Sequence, residues 1–293
     1  MIPPEPIKHI DKPPKKRYNI FKPTSEKETY TMRYIVDHDL HIHSQLSLCS
    51  NDPAQTPEAI LQYAKDNNLK TICLTDHMWD PAVPGASGWY AKQPFERTCE
   101  ALPLPKSPDV NFLFGCETDQ DMHCTVGVSP EVMEKLAFII IPTTHMHMGG
   151  FTVRGDEGVE ERAKLWCDRF DAVLDMDLPF HKIGIAHLTC SLIYRDHYIE
   201  VLNAIPDAEY HRLFAKAAKV GVGIELNFPS LNLNDETREP TLKPYRIAKE
   251  EGCKFYFGSD AHHPAELANA MKNFQNIVDL LGLEESDKIE FLK

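Results

Sequence analysis

Two histidines separated by one residue are the first feature of this chain that could do chemistry. His41 and His43 lie in the segment DHDLHIHSQLSLC, residues 37–49. On a β-strand, residues i and i+2 project from the same face, so both imidazoles would converge on one point. Neutral imidazole is a good ligand for zinc, iron or manganese, and the pair would form half of a metal site. Paired histidines are also often structural, so the metal hypothesis depends on the other strands.

Residues of metal-ligand type recur at the end of almost every predicted strand. They are Asp76 and His77, Glu117, His145, His187, Glu225 and Asn227, and Asp260 and His262. Histidines placed at random among the fourteen of this chain would not fall so regularly. So many buried imidazoles without a partner charge would also be costly. The pattern therefore predicts a metal centre, although for Glu225 a structural hydrogen bond is an equal alternative.

Seven β/α units must position these side chains. Strand-like runs are predicted at residues 34–40, 71–74, 111–114, 138–141, 183–186, 222–226 and 254–257. Helical segments, including one near residues 241–251, alternate with them, which indicates parallel strands with helical crossovers. Seven units in succession favour a closed or nearly closed barrel, in which the loops after the strands converge on one site. A doubly wound open sheet is the alternative, but no nucleotide-binding glycine motif follows the first strand.

The number of candidate ligands indicates the kind of centre. One catalytic zinc needs about three protein ligands plus a water. At least eight candidates are present, which is enough for two or three divalent ions. Ions about 3.5–4 Å apart typically clamp the attacking and leaving oxygens of a displacement reaction. A carboxylate is the natural bridge because it has two oxygens, and Glu117, on a middle strand, is best placed for that role.

Composition limits the class of partner. The chain has 293 residues, 42% of them hydrophobic, and a net charge of −13. That charge argues against nucleic-acid binding beyond nucleotides, although bound divalent ions would still admit an anionic substrate. No apolar run reaches the roughly 18–20 residues that cross a bilayer, and no signal-peptide core is present. Eight cysteines without a C-x-x-C pair fit a reducing compartment, so we expect a cytoplasmic protein without a membrane partner.

Residues 1–32 differ in composition from the rest. They are rich in proline and contain the basic cluster Lys15-Lys16-Arg17. Repeated prolines remove hydrogen-bond donors and favour extended backbone. We predict a proline-rich N-terminal arm over residues 1–32 and one barrel domain over residues 33–293.

The strand-end motifs, taken in order, resemble those of the PHP superfamily, which includes polymerase domains and histidinol phosphatases. The resemblance extends from about residue 36 to residue 265. It rests on Asp-Leu-His-Ile-His at 39–43, Thr-Asp-His at 75–77, Gly-Cys-Glu at 115–117, His145, His187 and Ser-Asp-Ala-His at 259–262. It implies an α/β fold, a distorted (β/α)7 TIM-like barrel of the PHP type, in agreement with the seven predicted strands.

The same resemblance implies an assignment of ligands for zinc, iron or manganese. The first ion would be held by His41, His43, Glu117 and Asp260. The second would be held by Glu117, His145 and His187. The third would be held by His77, His262 and Cys49, which stands where much of the family has a histidine. A thiolate there would suit a soft metal such as zinc; otherwise the third site would be weak or absent.

The implied reaction is hydrolysis of a small-molecule phosphate ester by a metal-activated hydroxide. Histidinol phosphate is the nearest family substrate, followed by nucleotides. The implied catalytic residues are Glu117, His187 and Asp260, and Asp260 or a neighbouring histidine would assist proton transfer. Arg154 and Arg195 follow the fourth and fifth predicted strands and are the candidate substrate-binding residues, because a guanidinium binds phosphate through two donors. A plain surface charge is the alternative for each arginine.

Two other functions compete with phosphoesterase activity. An amidohydrolase-like C–N hydrolase also opens with H-x-H, but that superfamily resembles an eight-stranded barrel and often bridges its metals with a lysine on the fourth strand. The fourth predicted strand here, extended to residue 145, contains no lysine. A non-catalytic metal-binding domain is the second alternative, and the retention of nearly every ligand type argues against it.

Overall fold

The computed structural model describes residues 32–50 and 52–293. The predicted N-terminal arm, residues 1–32, lies outside these ranges except for Met32, so it stays a prediction. Within the described ranges, no helix is both long enough and apolar enough to span a membrane.

Eight short parallel strands form the centre of the fold. They are β1 (His38–Ile42), β2 (Thr71–Leu74), β3 (Asn111–Phe114), β4 (Cys116–Glu117), β5 (Ile139–Pro142), β6 (Ile183–Ala186), β7 (Gly223–Leu226) and β8 (Lys254–Phe257). Hydrogen bonds connect them into a three-stranded sheet, β1-β2-β3, and a five-stranded sheet, β4-β5-β6-β7-β8. Every pairing within the sheets is parallel and joins strands that follow each other in the chain. This order is the one expected of a (β/α) barrel.

The two sheets meet at Gly115, which directly follows the third predicted strand, residues 111–114. β3 and β4 flank this residue, and the two-residue β4 is a strand additional to the seven that the sequence predicts. A Cβ atom at position 115 would lie 2.3 Å from the carbonyl oxygen of Phe138 and 2.7 Å from the Sγ of Cys73. The glycine therefore lets the backbone approach both neighbours closely at the point where the chain exchanges one pairing strand for the next.

At the other junction, the segment after β8 returns to β1. The Asp260 N–H donates to the His41 carbonyl at 2.7 Å, and the His43 N–H donates to the Ala261 carbonyl at 3.0 Å. A single parallel bridge pairs Ile42 with Ala261. These few bonds join the sheets near their carboxyl ends without a continuous ladder, so the barrel is distorted and incompletely hydrogen-bonded.

Helices connect the strands, and the longer ones pack apolar faces into the hydrophobic core. They are α1 (Pro57–Asp66), α2 (Phe95–Thr98), α3 (Pro130–Met133), α4 (Val159–Leu174), α5 (Tyr198–Ala204), α6 (Asp207–Val220), α7 (Asp235–Glu250) and α8 (Pro264–Leu281). α1 begins at a side-chain cap, because the Thr56 hydroxyl accepts from the Ala59 N–H at 3.2 Å. α3 begins in the same way, with the Ser129 hydroxyl accepting from the Val132 N–H at 3.3 Å.

The first strand begins later than the sequence predicts. Tyr34, assigned to it from sequence, pairs instead with the C-terminal segment, where its N–H donates to the Leu283 carbonyl at 3.1 Å. Its hydroxyl donates to the Phe255 carbonyl at 2.9 Å. His41 therefore lies within β1 and His43 directly follows it. Both imidazoles still reach one point, with their Nε2 atoms 3.1 Å apart.

Candidate metal centre

Glu117 lies at the centre of the candidate site. Its side chain is buried at the end of β4, and neither carboxylate oxygen makes a well-formed hydrogen bond within the described part of the chain. Imidazole nitrogens surround it. Oε2 lies 3.2 Å from Nε2 of His41, 3.2 Å from Nε2 of His43 and 3.1 Å from Nδ1 of His77. A buried carboxylate without donors is costly, so this arrangement requires compensating positive charge.

The first group of donor atoms has the spacing expected around a single ion. It consists of His41, His43, Glu117 and Asp260. The two Nε2 atoms are 3.1 Å apart, and each lies 3.1–3.3 Å from a carboxylate oxygen of Glu117 and of Asp260. Donor atoms held 3.1–3.3 Å apart leave room for one ion at about 2.0–2.3 Å from each of them. These distances suit zinc and comparable divalent ions, so the residues fit a metal.

Hydrogen bonds on the far ring nitrogens orient these two imidazoles. Nδ1 of His41 lies 2.7 Å from Oε1 of Glu225, which is fully buried on β7. Nδ1 of His43 lies 3.0 Å from Oγ of Ser47, and that hydroxyl donates to Asp76 at 2.7 Å. Because both oxygens act as acceptors toward the rings, each Nδ1 carries a proton, and Nε2 is the nitrogen left to face a metal ion. Such partners orient metal-binding histidines.

A second group of donors faces the other oxygen of Glu117. Oε1 lies 3.3 Å from Nε2 of His187 and 3.9 Å from Nε2 of His145. These two rings are stacked, with centroids 4.8 Å apart. Nδ1 of His145 lies 3.3 Å from Oδ2 of Asp119, and Nδ1 of His187 lies 2.9 Å from the side-chain amide of Asn227. Both rings therefore present Nε2 to Glu117.

Strained backbone positions two of the site residues. His187, directly after β6, has φ of 64°, and Asp260, in the turn after β8, has φ of 55°. A residue with a side chain costs about 1–3 kcal/mol in this left-handed region, and such residues cluster at active sites. The turns bring the two side chains together, with Nε2 of His187 3.7 Å from Oδ2 of Asp260.

A third group consists of His43, His77 and His262. The rings of His43 and His262 are stacked, with centroids 4.3 Å apart. Nδ1 of His262 donates to the Asp260 carbonyl at 2.7 Å, which leaves Nε2 as an acceptor. Cys49 lines the same cavity, but its thiol is not among the described donor atoms that cluster within 4.8 Å of one another. A ligand role for Cys49 stays a prediction.

Opposite charges shift the pKa values of the central groups in opposite directions. Burial opposes the charged forms of His41 and His43. Nearby carboxylates nevertheless raise the pKa of His41 well above its usual value and that of His43 to about 9. Burial would raise the pKa of Glu117, but His77 and His41 hold it well below its usual range. The carboxylate therefore stays ionised and attracts protons to His41 and His43; divalent ions would replace those protons.

The three donor groups open into one cavity of about 410 Å³. Arg154 and Arg195, predicted from sequence to bind phosphate, are not among the residues that line it. The side chain of Arg154 is 59% exposed and pairs with Asp156 and Glu161. Arg195 is exposed in a single helical turn. The structure thus brings neither arginine to the donor groups, and their role in substrate binding stays a prediction.

Several supporting residues were not assigned to the site from sequence. Asp119 lies two residues after Glu117. In an extended segment, side chains two residues apart point to the same face, so this spacing could have indicated that Asp119 lies beside Glu117. Ser47 lies four residues after His43 in an irregular segment, and no pattern indicates its contact with the ring. The sequence left two interpretations open for Glu225, and in the structure its carboxylate is hydrogen-bonded to Nδ1 of His41.

Comparison with known sequences identifies the family. The profile of the PHP domain matches residues 39–292. A probable histidinol-phosphatase of Deinococcus radiodurans is 26% identical over 272 residues, covering 82% of this chain and 93% of that protein. A probable phosphatase of Caldicellulosiruptor saccharolyticus is 22% identical over 233 residues, covering 78% of this chain and 82% of that protein.

A solved structure shares the fold. It is a histidinol phosphate phosphatase of Lactococcus lactis, complexed with zinc, L-histidinol and phosphate, and it aligns with a TM-score of 0.55 at 15% identity. The alignment covers 87% of this chain and 98% of that one. This likeness confirms the predicted α/β fold class, with parallel strands and helices in a PHP-type arrangement. Since the domain profile covers most of the sequence, the chain belongs to the PHP domain family.

Proposed function

We propose that this protein is a metal-dependent phosphatase that hydrolyses a phosphate monoester of a small molecule, with histidinol phosphate as the first candidate. The observation that carries the proposal is the convergence of three groups of imidazole and carboxylate donors around Glu117. The names of the relatives, probable histidinol-phosphatase and probable phosphatase, support the same reaction. We place the activity in residues 33–293.

Glu117 would bridge two ions, because its two oxygens face different donor groups. Oε2 faces the first group, formed with His41, His43 and Asp260, and Oε1 faces the second, formed with His145 and His187. The donors for a third ion would be His77 and His262, together with Cys49 if its thiolate coordinates. Imidazole and carboxylate donors suit zinc, iron or manganese.

Divalent ions bound there would supply a water nucleophile at neutral pH and neutralise charge on the phosphoryl oxygens. The chain itself holds the donors in place before substrate binds, through the bonds of Glu225 and Ser47 to the far ring nitrogens. Asp260 lines the cavity, and 30% of its side chain is exposed, so this carboxylate is accessible from the cavity. We therefore assign proton transfer to Asp260 and positioning to the buried Glu117 and His187.

A phosphatase screen of the metal-loaded protein tests the proposal. Histidinol phosphate and nucleoside monophosphates should release phosphate in the presence of zinc, iron or manganese. His187→Ala should lower kcat more than about 100-fold and reduce the metal content, because it removes a donor. His197→Ala is the matched control, since this exposed histidine contacts Glu200 and Tyr194 and does not line the cavity. Bound ions without phosphate release from any ester would contradict the proposed reaction.

A further inference from the structure

Part of the cavity wall is apolar and aromatic. Trp89, Tyr90, Met148 and Leu192 line it beside the donor groups. Trp89, Met148 and Leu192 are half-buried, so each keeps surface that a ligand can contact. Apolar walls with a few convergent polar groups are typical of sites that bind the organic part of a small molecule.

Trp89 is held in a fixed position by its neighbours. Its ring packs edge-on against Tyr90, with centroids 4.8 Å apart, and against His77, with centroids 5.0 Å apart. Tyr90 is itself anchored in a buried cluster with Trp79 and Phe151, whose ring centroids lie 5.8 and 5.6 Å away. Trp89 therefore offers a rigid aromatic surface directly beside an imidazole of the third donor group.

Among the described residues, no lysine or arginine lines the cavity. Its lining holds the carboxylates Glu117, Asp119 and Asp260 together with five histidines, which are His77, His145, His147, His187 and His262. Arg162 lies close behind it, but its guanidinium is buried and donates to the carbonyls of Met146 and Ile193 at 2.6 Å. A second anionic group bound away from the donor groups would thus meet Asp119, the imidazole of His147 and apolar surface, but no lysine or arginine.

We infer that the substrate's organic part carries an aromatic ring that packs on Trp89 and Met148, and that it bears no negative charge beyond the phosphate. This inference rests on the proposed phosphatase function and specifies its substrate class. The phosphate occupies the donor groups around Glu117, and the ring lies against the apolar wall. A cavity of about 410 Å³ holds an ester of this size.

Selectivity between two alkyl phosphates tests the role of Trp89. Benzyl and ethyl phosphate have similarly basic leaving groups, so the ratio of their kcat/KM values reports contacts of the ring. Wild type should prefer benzyl phosphate, Trp89→Ala should lower that ratio about tenfold, and Trp89→Phe should retain most of it. Leu102→Ala is the control, because this exposed residue lies in the same β2–β3 connection but outside the cavity. An unchanged ratio in Trp89→Ala would overturn the inference.

A carboxylate on the ring tests the charge requirement. 4-Carboxybenzyl phosphate should have kcat/KM at least about tenfold below that of benzyl phosphate, because the added charge finds no cation in the wall. Equal values would overturn this half of the inference.

Calorimetry with non-hydrolysable analogues separates failure of the inference from failure of the proposed function. Benzylphosphonate should bind the metal-loaded protein more tightly than ethylphosphonate, and the difference should shrink in Trp89→Ala. If benzylphosphonate binds more tightly in this Trp89-dependent way but no ester is hydrolysed, the phosphatase function is refuted and the aromatic binding surface is supported. If both phosphonates bind wild type equally, the inferred contact of a substrate ring with Trp89 is wrong, whether or not the protein hydrolyses esters.

Discussion

The hydrogen bond between Glu225 and His41 offers a quantitative test of how the metal centre is built. Both side chains are fully buried, and Nδ1 lies 2.7 Å from Oε1. In Glu225→Gln the amide oxygen can still accept this hydrogen bond, but the negative charge is lost. In Glu225→Leu both the charge and the acceptor are lost, and a buried N–H is left without a partner.

The expected magnitude follows from these two losses. Outer partners of metal-binding histidines change metal affinity by about 10–100-fold. We expect zinc affinity to fall about tenfold in Glu225→Gln, because a charge-assisted hydrogen bond becomes a neutral one. We expect a fall of about 100-fold in Glu225→Leu, because the unpaired N–H adds its desolvation penalty. These factors correspond to about 1.4 and 2.8 kcal/mol of binding free energy.

Competition with a chelator of known affinity gives the zinc dissociation constant of each variant. Asp80→Asn is the matched control: Asp80 is also a buried carboxylate, but it accepts from the N–H groups of Ala82 and Ser129, outside the donor groups. It should bind zinc as the wild type does. Wild-type affinity in Glu225→Leu, in a protein with unchanged circular dichroism and Tm, would refute the role given to Glu225.

Three further predictions concern the packing and protonation around the site. Gly258→Ala should weaken zinc binding at least as much as Glu225→Gln, because its Cβ would lie 2.3 Å from Oε1 of Glu225 and 2.4 Å from Cβ of His41; the same competition assay checks this, and wild-type affinity would contradict the close packing. Ser47→Ala should lower zinc affinity about tenfold, because His43 loses its acceptor; an unchanged dissociation constant would remove Ser47 from the site. His38 should make the free energy of unfolding fall as the pH drops below about 6.5, since burial lowers its pKa and its Nε2 accepts from the Phe257 N–H at 3.0 Å. The unfolded chain then binds the extra proton, at up to about 1.4 kcal/mol per pH unit. Urea unfolding at two pH values should show a smaller difference in His38→Gln than in wild type, and equal differences would argue against this protonation state.

The parts of the site that are predictable from sequence depend on short-range geometry. His41 and His43 share a strand face because side chains alternate, and His145 and His187 follow their strands at the same rim because the strands are parallel. Those two rules need no knowledge of tertiary packing. They therefore place side chains from distant parts of the chain near Glu117.

Contacts set by loop paths and packing were not predictable. Ser47 reaches a ring nitrogen only because the loop after β1 folds back over the strand end, and nothing in its sequence spacing indicates that path. The sequence places a helix near 241–251, but α7 begins at Asp235, capped by Asn234. Pro240 and Pro244 lie buried inside it, so capping and tertiary packing outweigh the usual helix-breaking effect of proline.

The proposed metal centre depends on Glu117 lying between two donor groups, and counting the metal ions bound by Glu117→Gln tests this position. The variant has a neutral side chain with a single carbonyl oxygen, so it cannot bridge two ions. After loading with zinc and dialysis, elemental analysis of the wild type should find at least two ions per chain. We expect correctly folded Glu117→Gln to lose more than one of them. Retention of every ion, or loss of only one, would contradict a carboxylate shared between two metals.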